Sequence, residues 1–413
     1  MNLNIRLQLS IMMFLQFFVW GTWYVTMSTY LLEIGFDGVN VGAAYSTVNW
    51  GAIVAPVFIG MIADRFFAAE KLMIALHLIG GIILWVVPSI TEPGPFFWVM
   101  LLYAFCYMPT LALANAICFH QMNEPGKQFP GIRVLGTAGW IAAGLVIGIL
   151  LPEILGSSIE NTALPFKIGA VTSIILGLYS FMLPKTPPKA AETKVTIRDV
   201  LGLDALELMK DRSFAIFIIS SLLISIPLAF YYSFTNGFLN EMGMENTAAK
   251  MTFGQASEVI FMLLIPFFFV RLGVKKMLII GMLAWAVRYI LFAYGNNEEL
   301  VFMYYIGILL HGVCYDFFFV TGQIYVDEAA PKRIQASAQG FITVVTYGLG
   351  MLIGSWSSGI VVDHYTQTVG DSSLRLWTSI WWVPAIMAIG ITILFALLFK
   401  EKQIDREAAV ANA

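Results

Sequence analysis

Residues 213–240 read SFAIFIISSLLISIPLAFYYSFTNGFLN and contain no charged side chain. An α-helix rises 1.5 Å per residue, so about 20 apolar residues cross the roughly 30 Å hydrocarbon core of a bilayer. This stretch is therefore long enough and apolar enough to span a membrane as a single helix. Pro227 in its middle is compatible with that assignment, because packed membrane helices tolerate proline.

The same pattern recurs along the whole chain, which predicts an all-α integral membrane protein with twelve transmembrane helices. Strands of a transmembrane barrel would instead give weakly alternating segments of about 10 residues. Turn residues and charges separate the long apolar runs. The predicted spans are 7–32, 41–63, 72–90, 96–119, 132–151, 163–183, 213–240, 248–270, 276–294, 300–325, 334–361 and 376–399.

The overall composition excludes several classes of protein. Apolar residues make up 59% of the chain and charged residues 12%, whereas soluble domains have about 45–50% and about 25%. An ordinary cytosolic enzyme, a disordered protein and a nucleic-acid-binding protein are therefore not expected. Neither H-E-x-x-H nor G-x-S-x-G occurs, and the three cysteines have no disulfide or zinc spacing. We expect no enzymatic activity, no bound metal and no cofactor.

Basic residues in the short loops predict the orientation, because Lys and Arg concentrate on the cytoplasmic side of membrane proteins. If the N-terminus is cytoplasmic, most of the 23 Lys and Arg residues fall on or near the inner side. Acidic residues such as Glu92, Glu160 and Asp363 lie at the outer ends of the spans. The sequence therefore predicts that both termini are cytoplasmic.

The longest stretch outside the membrane, residues 184–212, lies midway along the chain and begins with PKTPPK, which is typical of a linker. It predicts two six-helix bundles, residues 1–183 and residues 213–413, the second followed by a short cytoplasmic tail. Between Ile197 and Leu208 apolar and charged residues alternate. This part fits either an amphipathic helix on the inner membrane surface or a solvated linker. Duplicated halves around a midplane site are a common design of transporters.

Few ionisable side chains lie at membrane depth, where a charge is costly unless it has a partner or a cavity. Glu258 is the strongest functional candidate, because a carboxylate that moves between buried and hydrated surroundings can take up and release a proton. A buried structural ion pair is the alternative for this residue. We expect Arg288 to be a structural partner for a carboxylate such as Asp316, and His77 to be a hydrogen-bonded packing residue.

The fifth span carries Arg133, Thr137 and Trp140, which are spaced to share one helix face. Gly136 and Gly139 lie between them and allow close helix packing. An Arg, a hydroxyl and an aromatic plane together suit a small polar ligand with a flat ring. The alternative is a snorkelling Arg133 at the cytoplasmic surface and an interfacial Trp140.

Several short stretches, in order and at matching spacing, resemble the nucleoside:proton symporters of the major facilitator superfamily, which include bacterial nucleoside and xanthosine permeases. They include FLQFFVWGTW at 14–23, IRVLGT at 132–137, QASE at 255–258 and DFF at 316–318. Residues 60–65, GMIADR, also match the loop motif between helices 2 and 3 of that superfamily. The resemblance implies the major facilitator fold and a multi-pass protein of the bacterial cytoplasmic (inner) membrane. It implies that Asp64 and Arg65 are gating or structural residues.

The resemblance also implies a substrate site and a proton-coupling site. The implied substrate contacts are Arg133, Thr137, Trp140, Tyr232, Gln255, Glu258, His311 and Tyr315. Glu258, Asp316 or both would carry the coupled proton. The nucleoside would lie near the midplane between the halves, with its base stacked on Trp140 and Tyr315.

Five positions depart from the pattern of the family, and two of them are Ala229 and Tyr232, where the family places Gln and Asn on the cavity face of the seventh span. The family's nucleoside permeases have Phe where this chain has Trp140, and Tyr and Phe are expected where it has His311 and Tyr315. These departures affect which polar groups of the base or sugar the site recognises. The expected function is proton-coupled nucleoside import by a monomer in a lipid bilayer, with no nucleic-acid partner.

A sugar:proton symporter of the same superfamily is the alternative. Residues 133–140, RVLGTAGW, are also similar to the disaccharide:proton symporters, which pair this Arg with a carboxylate in the fourth span. Here the corresponding region has Asn115, and the fourth span holds no carboxylate. Nucleosides are therefore the favoured substrates.

Overall fold

The computed structural model describes residues 2–58, 67–188, 201–370 and 372–401, and nearly all of them are helical. The α-helices are α1 (Leu3–Trp23), α2 (Met27–Glu33), α3 (Gly38–Phe58), α4 (Ala69–Val86), α5 (Pro93–His120), α6 (Pro125–Gln128), α7 (Pro130–Leu145), α8 (Leu151–Leu155), α9 (Leu164–Tyr179), α10 (Arg212–Glu241), α11 (Thr247–Tyr294), α12 (Val301–Tyr315), α13 (Thr321–Ala329), α14 (Gln335–Thr343), α15 (Met351–His364) and α16 (Trp377–Leu398).

Shorter elements connect or extend these helices. Among the described residues, three stretches are π-helical, namely Val146–Leu150, Asp316–Val320 and Val344–Gly350. 3₁₀ turns lie at Val87–Ser89, Ser180–Met182, Leu203–Lys210 and Lys332–Ile334. A hairpin of β1 (Thr366–Val369) and β2 (Ser372–Arg375), with Thr366 opposite Arg375, precedes α16.

Ten helical segments among the described residues are long and apolar enough to cross a membrane. The prediction of an all-helical membrane protein is therefore confirmed. The longest segment, α11, has 48 residues, but Gly273 in it adopts φ 73° and ψ 174°. Glycine reaches this backbone conformation without the steric cost that a Cβ would impose. It breaks α11 into two arms at the place where the sequence separates spans 248–270 and 276–294.

The chain divides into two compact units. Unit 1 comprises Met1–Phe36, Ala43–Ile197 and Glu245–Thr252, and unit 2 comprises Asp37–Gly42, Arg198–Met244 and Phe253–Ala413. The first residues of α3 thus belong to unit 2, and the first residues of α11 belong to unit 1.

A buried polar network joins the helices of unit 1. The His77 Nε2 atom of α4 lies 2.9 Å from Gln16 Oε1 of α1, and its Nδ1 atom lies 3.0 Å from Ser173 Oγ of α9. Gln16 Nε2 in turn donates to Thr110 Oγ1 of α5 at 2.7 Å. All four side chains are buried, and hydrogen bonds offset the cost of burying polar groups. His77 is therefore a hydrogen-bonded packing residue, as expected from the sequence.

Carboxylates from distant parts of the chain bind the N-termini of two long helices. In unit 2, Asp363 accepts hydrogen bonds from the backbone N–H groups of Gly38 (2.6 Å) and Val39 (2.9 Å) at the start of α3. In unit 1, the buried Glu160 accepts one from the N–H of Ala248 (2.9 Å) at the start of α11. Each carboxylate satisfies N–H groups that have no partner within the helix, at the end where the helix dipole favours negative charge.

The second end of the linker, from residue 201 onward, packs on unit 2. Gly202 has φ 66°, and a Cβ on it would overlap the carbonyl oxygen of Ser337. The 3₁₀ helix Leu203–Lys210 follows directly, and its Glu207 pairs with Arg333 at 2.9 Å between two exposed side chains. Residues 197–200, the start of the predicted amphipathic segment, lie outside the described residues.

Candidate functional site

The face of α7 predicted from the sequence is present in unit 1. The helix begins at Pro130, where a proline at the first helical position costs no hydrogen bond. Arg133, Thr137 and Trp140 are all half-buried. On the adjacent face, a Cβ on Gly139 would overlap the backbone of Phe14 in α1. The glycines thus bring α7 against α1, as the sequence predicts.

Aromatic residues of α1, and Tyr24 directly after it, complete this surface. The guanidinium carbon of Arg133 lies 4.3 Å from the ring centroid of Phe17, within the range of a cation–π contact. Trp20 packs edge-on against Trp140, with ring centroids 5.5 Å apart and planes at 72°. Tyr24 also packs against Trp140, at 6.2 Å. The sequence analysis did not assign Phe17, Trp20 or Tyr24 to the site, although their spacing places them along one side of α1.

Trp20 carries a hydrogen-bond donor that is buried without a partner in the described part of the chain, its indole N–H. Such groups are uncommon in native proteins, because burial without a hydrogen bond is costly. A surface with an indole N–H, a guanidinium and a hydroxyl beside aromatic planes can stack a flat ring and bond its polar edge.

In unit 2, two helices cross so closely that Glu258 and His311 meet. A Cβ on Gly312 of α12 would overlap the backbone of Ser257 in α11, and a Cβ on Gly254 would press on His311 Cβ. Ser257 Oγ also donates to the carbonyl oxygen of Leu309 at 2.6 Å. These contacts fix how the two helices cross at Ser257, the residue directly before Glu258.

Glu258 Oε2 lies 3.6 Å from His311 Nε2, an ion-pair distance when the imidazole is protonated. The Glu258 side chain is 19% exposed and that of His311 is 3% exposed. The carboxylate is therefore accessible to a polar ligand, whereas the imidazole beside it is buried. Gln255, one turn earlier on α11, is half-buried.

Three tyrosine rings pack against the imidazole of His311. Tyr231 of α10 stacks on it at 5.5 Å and 24°, and Tyr315 of α12 stacks at 5.8 Å and 26°. Tyr232 packs edge-on against it at 6.2 Å and 89°. The structure thus brings together four of the residues named from the sequence, Tyr232, Glu258, His311 and Tyr315, and adds Tyr231, which the sequence analysis missed.

Arg288 and Asp316 are both fully buried in unit 2 but are not hydrogen-bonded to each other. Among the described residues, neither the three guanidinium nitrogens of Arg288 nor the two carboxylate oxygens of Asp316 have a hydrogen-bond partner. The expected pairing of the two is therefore wrong. The guanidinium carbon of Arg288 instead lies 4.2 Å from the ring centroid of Tyr231. The cation therefore makes a cation–π contact with an aromatic face. Asp316 begins the π-helical stretch Asp316–Val320.

The two residues of the loop motif, Asp64 and Arg65, lie outside the described residues. Their predicted gating or structural role stays a prediction. Every other residue named from the sequence as a substrate-contact or proton-coupling candidate lies in a described helix or at the start of a described π-helical stretch.

Comparison with known proteins gives consistent matches over nearly the full chain. The family model described as nucleoside H+ symporter matches residues 1–404. The putative nucleoside transporter YegT of Escherichia coli (strain K12) is 42% identical over 401 residues, covering 95% of this chain and 93% of the relative. The nucleoside permease NupG of the same organism is 33% identical over 418 residues, covering 97% of each chain.

The structural comparison agrees with the sequence comparison. The crystal structure of the nucleoside transporter NupG matches with a TM-score of 0.86 at 34% identity, covering 97% of this chain and 100% of that chain. The fold is therefore that of a major facilitator type transporter, and the protein is not an enzyme. A family match of this extent and relatives above 30% identity lead to one conclusion: the chain belongs to the nucleoside H+ symporter family.

Proposed function

We propose that this chain imports nucleosides together with protons by alternating access, across the bacterial inner membrane in which it is a multi-pass protein. The family assigns both the nucleoside and the proton as substrates. The observation in the chain that supports this function best is the Glu258–His311 pair, a half-buried carboxylate beside a buried imidazole among aromatic rings. It offers both a group that exchanges protons and a surface for a polar aromatic ligand.

We propose twelve transmembrane helices in two six-helix bundles, residues 1–183 and 213–413, with both termini cytoplasmic and 184–212 as the linker. Ten candidate spans support this count, because α11 is one of them although Gly273 divides it into two arms. The helix α3, with 21 residues, is not among the ten and would be the remaining span. The distribution of Lys and Arg supports the orientation.

We propose the substrate contacts that the resemblance implies, taken separately for each unit. In unit 1, Trp140 would stack on the base, while Arg133 and Thr137 would bond its polar edge or the ribose hydroxyls. Aromatic–base stacking contributes about 1–3 kcal/mol per base in proteins that bind single-stranded nucleic acids, and the same contact is available here. In unit 2 the proposed contacts are Tyr232, Gln255, Glu258, His311 and Tyr315.

The coupled proton would bind Glu258, Asp316 or both. Glu258 is partly exposed, so both solvent and a polar ligand can reach its carboxylate. Asp316 is fully buried, and a charged carboxylate without hydrogen bonds is costly there. A proton that binds Asp316 in one state and leaves it in another changes the relative energies of the two states. This is the requirement for driving a conformational cycle.

The working form is proposed to be a monomer surrounded by lipid. Large apolar side chains are exposed on both units, for example Trp98 (67%), Leu263 (78%) and Leu397 (74%). Hydrocarbon chains solvate such side chains, whereas water does not.

The decisive experiment is uptake of labelled uridine into proteoliposomes, with and without an inward proton gradient. Unlabelled nucleosides, nucleobases and sugars serve as competitors. We expect accumulation that requires the gradient, competition by adenosine or other nucleosides, and internal acidification when unlabelled nucleoside is added. Competition by lactose or fucose but not by nucleosides would contradict the proposal in favour of sugar symport. Binding without flux would contradict transport altogether.

A further inference from the structure

The first arm of α11, the part before Gly273, carries a row of exposed apolar side chains. Its main members are Ile260, Leu263 and Phe267, which we call the apolar row, and Leu263 is 78% exposed. At 3.6 residues per turn, these three side chains lie on the side of the helix opposite to Glu258. The row is therefore separate from the face proposed to contact the substrate. In a membrane protein, hydrocarbon chains cover such a surface.

Arg271 lies at the end of the apolar row, one turn after Phe267. Its guanidinium carbon is 3.6 Å from the ring centroid of Phe267, and the residue is exposed. A cation–π contact of this kind holds the guanidinium over the ring. In the part of the chain that the structure describes, no carboxylate forms an ion pair with Arg271. A positioned cation thus ends an apolar surface, and its hydrogen-bond donors are available to a ligand.

The turn directly after Arg271 is fixed by the segment that follows α16. Val274 and Lys275 donate their backbone N–H groups to the carboxylate of Glu401, at 3.0 and 3.4 Å. Lys275 Nζ donates to the carbonyl oxygen of Phe399 at 2.7 Å. These contacts hold the start of the second arm of α11. They therefore also fix the place at which the first arm ends.

The same turn concentrates positive charge. Lys276 and Lys400 are both exposed, and each is the chain neighbour of a residue that makes the contacts just described. Together with Arg271 and Lys275 they outnumber the carboxylate of Glu401 that is bonded to the turn. In the proposed orientation, this end of α11 lies at the cytoplasmic surface, where headgroups meet the hydrocarbon.

We propose that this basic turn and the apolar row form a binding site for one anionic phospholipid. The phosphate pairs with the guanidinium of Arg271, and an acyl chain lies along Phe267 and Leu263. A guanidinium can form two parallel hydrogen bonds to phosphate oxygens, and clusters of Lys and Arg beside a membrane helix attract anionic headgroups. A free phosphate ion would use only the charge and leave the apolar row uncovered. The ligand is therefore a lipid.

The test measures the binding of phosphatidylglycerol to the full chain, purified in a neutral detergent. The Tm is followed against lipid concentration, because a ligand that binds the folded state raises the Tm. The wild type should show a saturable rise with phosphatidylglycerol and a smaller rise with phosphatidylcholine, whose headgroup has no net charge. In Arg271→Gln the half-saturating concentration of phosphatidylglycerol should increase about fivefold, the factor expected for one basic residue at an anionic headgroup.

Two further variants separate the charge from the ring beneath it. Arg271→Lys keeps the charge and should retain part of the affinity, although a lysine lacks the planar fork. Phe267→Leu keeps the apolar row but removes the ring, and should increase the half-saturating concentration about two- to fivefold. Arg333→Gln is the matched control, because Arg333 is an exposed arginine of a different turn and pairs with Glu207. Its half-saturating concentration should equal that of the wild type.

Native mass spectrometry of the same preparations counts the bound lipids directly. One phosphatidylglycerol should be lost in Arg271→Gln and retained in Arg333→Gln. Equal responses to phosphatidylglycerol and phosphatidylcholine would overturn the proposal, and so would an unchanged half-saturating concentration in Arg271→Gln. A saturable rise in Tm with inorganic phosphate, at constant ionic strength, would assign the site to a free anion and overturn the lipid. None of these measurements involves flux, so their outcome is independent of whether the chain transports nucleosides.

Discussion

The buried histidine network of unit 1 and the buried ionic groups of unit 2 differ in their hydrogen bonding. In unit 1, both ring nitrogens of His77 have hydrogen-bond partners, and Gln16 uses both its amide nitrogen and its amide oxygen. In unit 2, the charged ends of Arg288 and Asp316 and the Nδ1 atom of His311 are buried without a hydrogen-bond partner in the described ranges. The contrast is between a polar network that is paired and a set of ionisable groups that is not.

This difference separates a stabilising role from a functional one. A satisfied network contributes to stability and specifies one packing of its helices. Unpaired buried groups cost free energy, and proteins keep them mainly where function requires them. We therefore expect proton coupling to depend on these groups of unit 2, and the paired network of unit 1 to contribute rigidity. Substitutions in the network of unit 1 should therefore lower the Tm and preserve coupling to the proton gradient. Substitutions of the buried ionic groups of unit 2 should weaken coupling without lowering the Tm.

The largest effect is expected for Asp316→Asn, which removes the charge and keeps the shape. A pH difference of one unit provides about 1.4 kcal/mol per proton, enough for about tenfold accumulation of substrate. The variant should lose this accumulation, so that uptake stops at equal concentrations inside and outside. Its Tm should equal or exceed that of the wild type, since an unpaired buried acid is gone. Uptake with and without a gradient, together with thermal unfolding in detergent, tests both parts.

A suitable control for this charge removal is Glu299→Gln, at an exposed position between α11 and α12. It should leave accumulation unchanged. If Asp316→Asn still accumulates uridine to the wild-type level, Asp316 does not carry the coupled proton.

The next largest effect is expected for Glu258→Gln, which removes the negative partner of His311. Hydrogen bonds to charged groups contribute about 1.5–3 kcal/mol, so the KM for nucleosides should rise about tenfold or more. Coupling to the gradient should weaken as well. Initial rates over a range of uridine concentrations, at several external pH values, measure both effects. Accumulation that remained fully gradient-dependent would mean that Glu258 is not the sole coupling site.

A smaller and opposite effect is expected for His77→Leu in unit 1. The change leaves the oxygen of Gln16 without its partner and removes a contact of Ser173, which costs about 1–3 kcal/mol. The Tm in detergent should fall, whereas the dependence of uptake on the gradient should persist. His77→Gln should recover part of the loss, because an amide can both donate and accept. Loss of coupling with an unchanged Tm would contradict the comparison.

The smallest effect is expected for Asp363→Asn at the start of α3. The neutral amide oxygen can accept from Gly38 or Val39 but no longer offsets the helix dipole, and a cap of this kind contributes about 1 kcal/mol. Hydrogen exchange should become faster for the first amides of α3 and stay unchanged elsewhere in unit 2. Glu160→Gln offers the same test at the start of α11 in unit 1. Unchanged exchange in both variants would show that the carboxylate charge adds nothing to these caps.

Much of the candidate site could be predicted from the sequence, because hydropathy along the chain shows which residues lie at membrane depth. A carboxylate amid twenty apolar residues stands out, so Glu258 and Asp316 were found without a structure. The face Arg133–Thr137–Trp140 follows from the helical repeat alone. The aromatic residues of α1 were missed because aromatic side chains occur throughout membrane helices, and nothing local marks Trp20 as the neighbour of Trp140.

The sequence by itself determined the helical membrane fold, the family and the short set of charges at membrane depth. These depend on hydropathy, on the rise of a helix and on motifs of a few residues. The tertiary structure alone decided that His311 faces Glu258, that Arg288 packs on Tyr231 instead of pairing with Asp316, and that Glu401 bonds the start of the second arm of α11. Such pairings depend on the rotation of each helix about its axis and on close crossings such as that of Gly312 with Ser257. Packing between distant segments sets both quantities, and no local pattern encodes them.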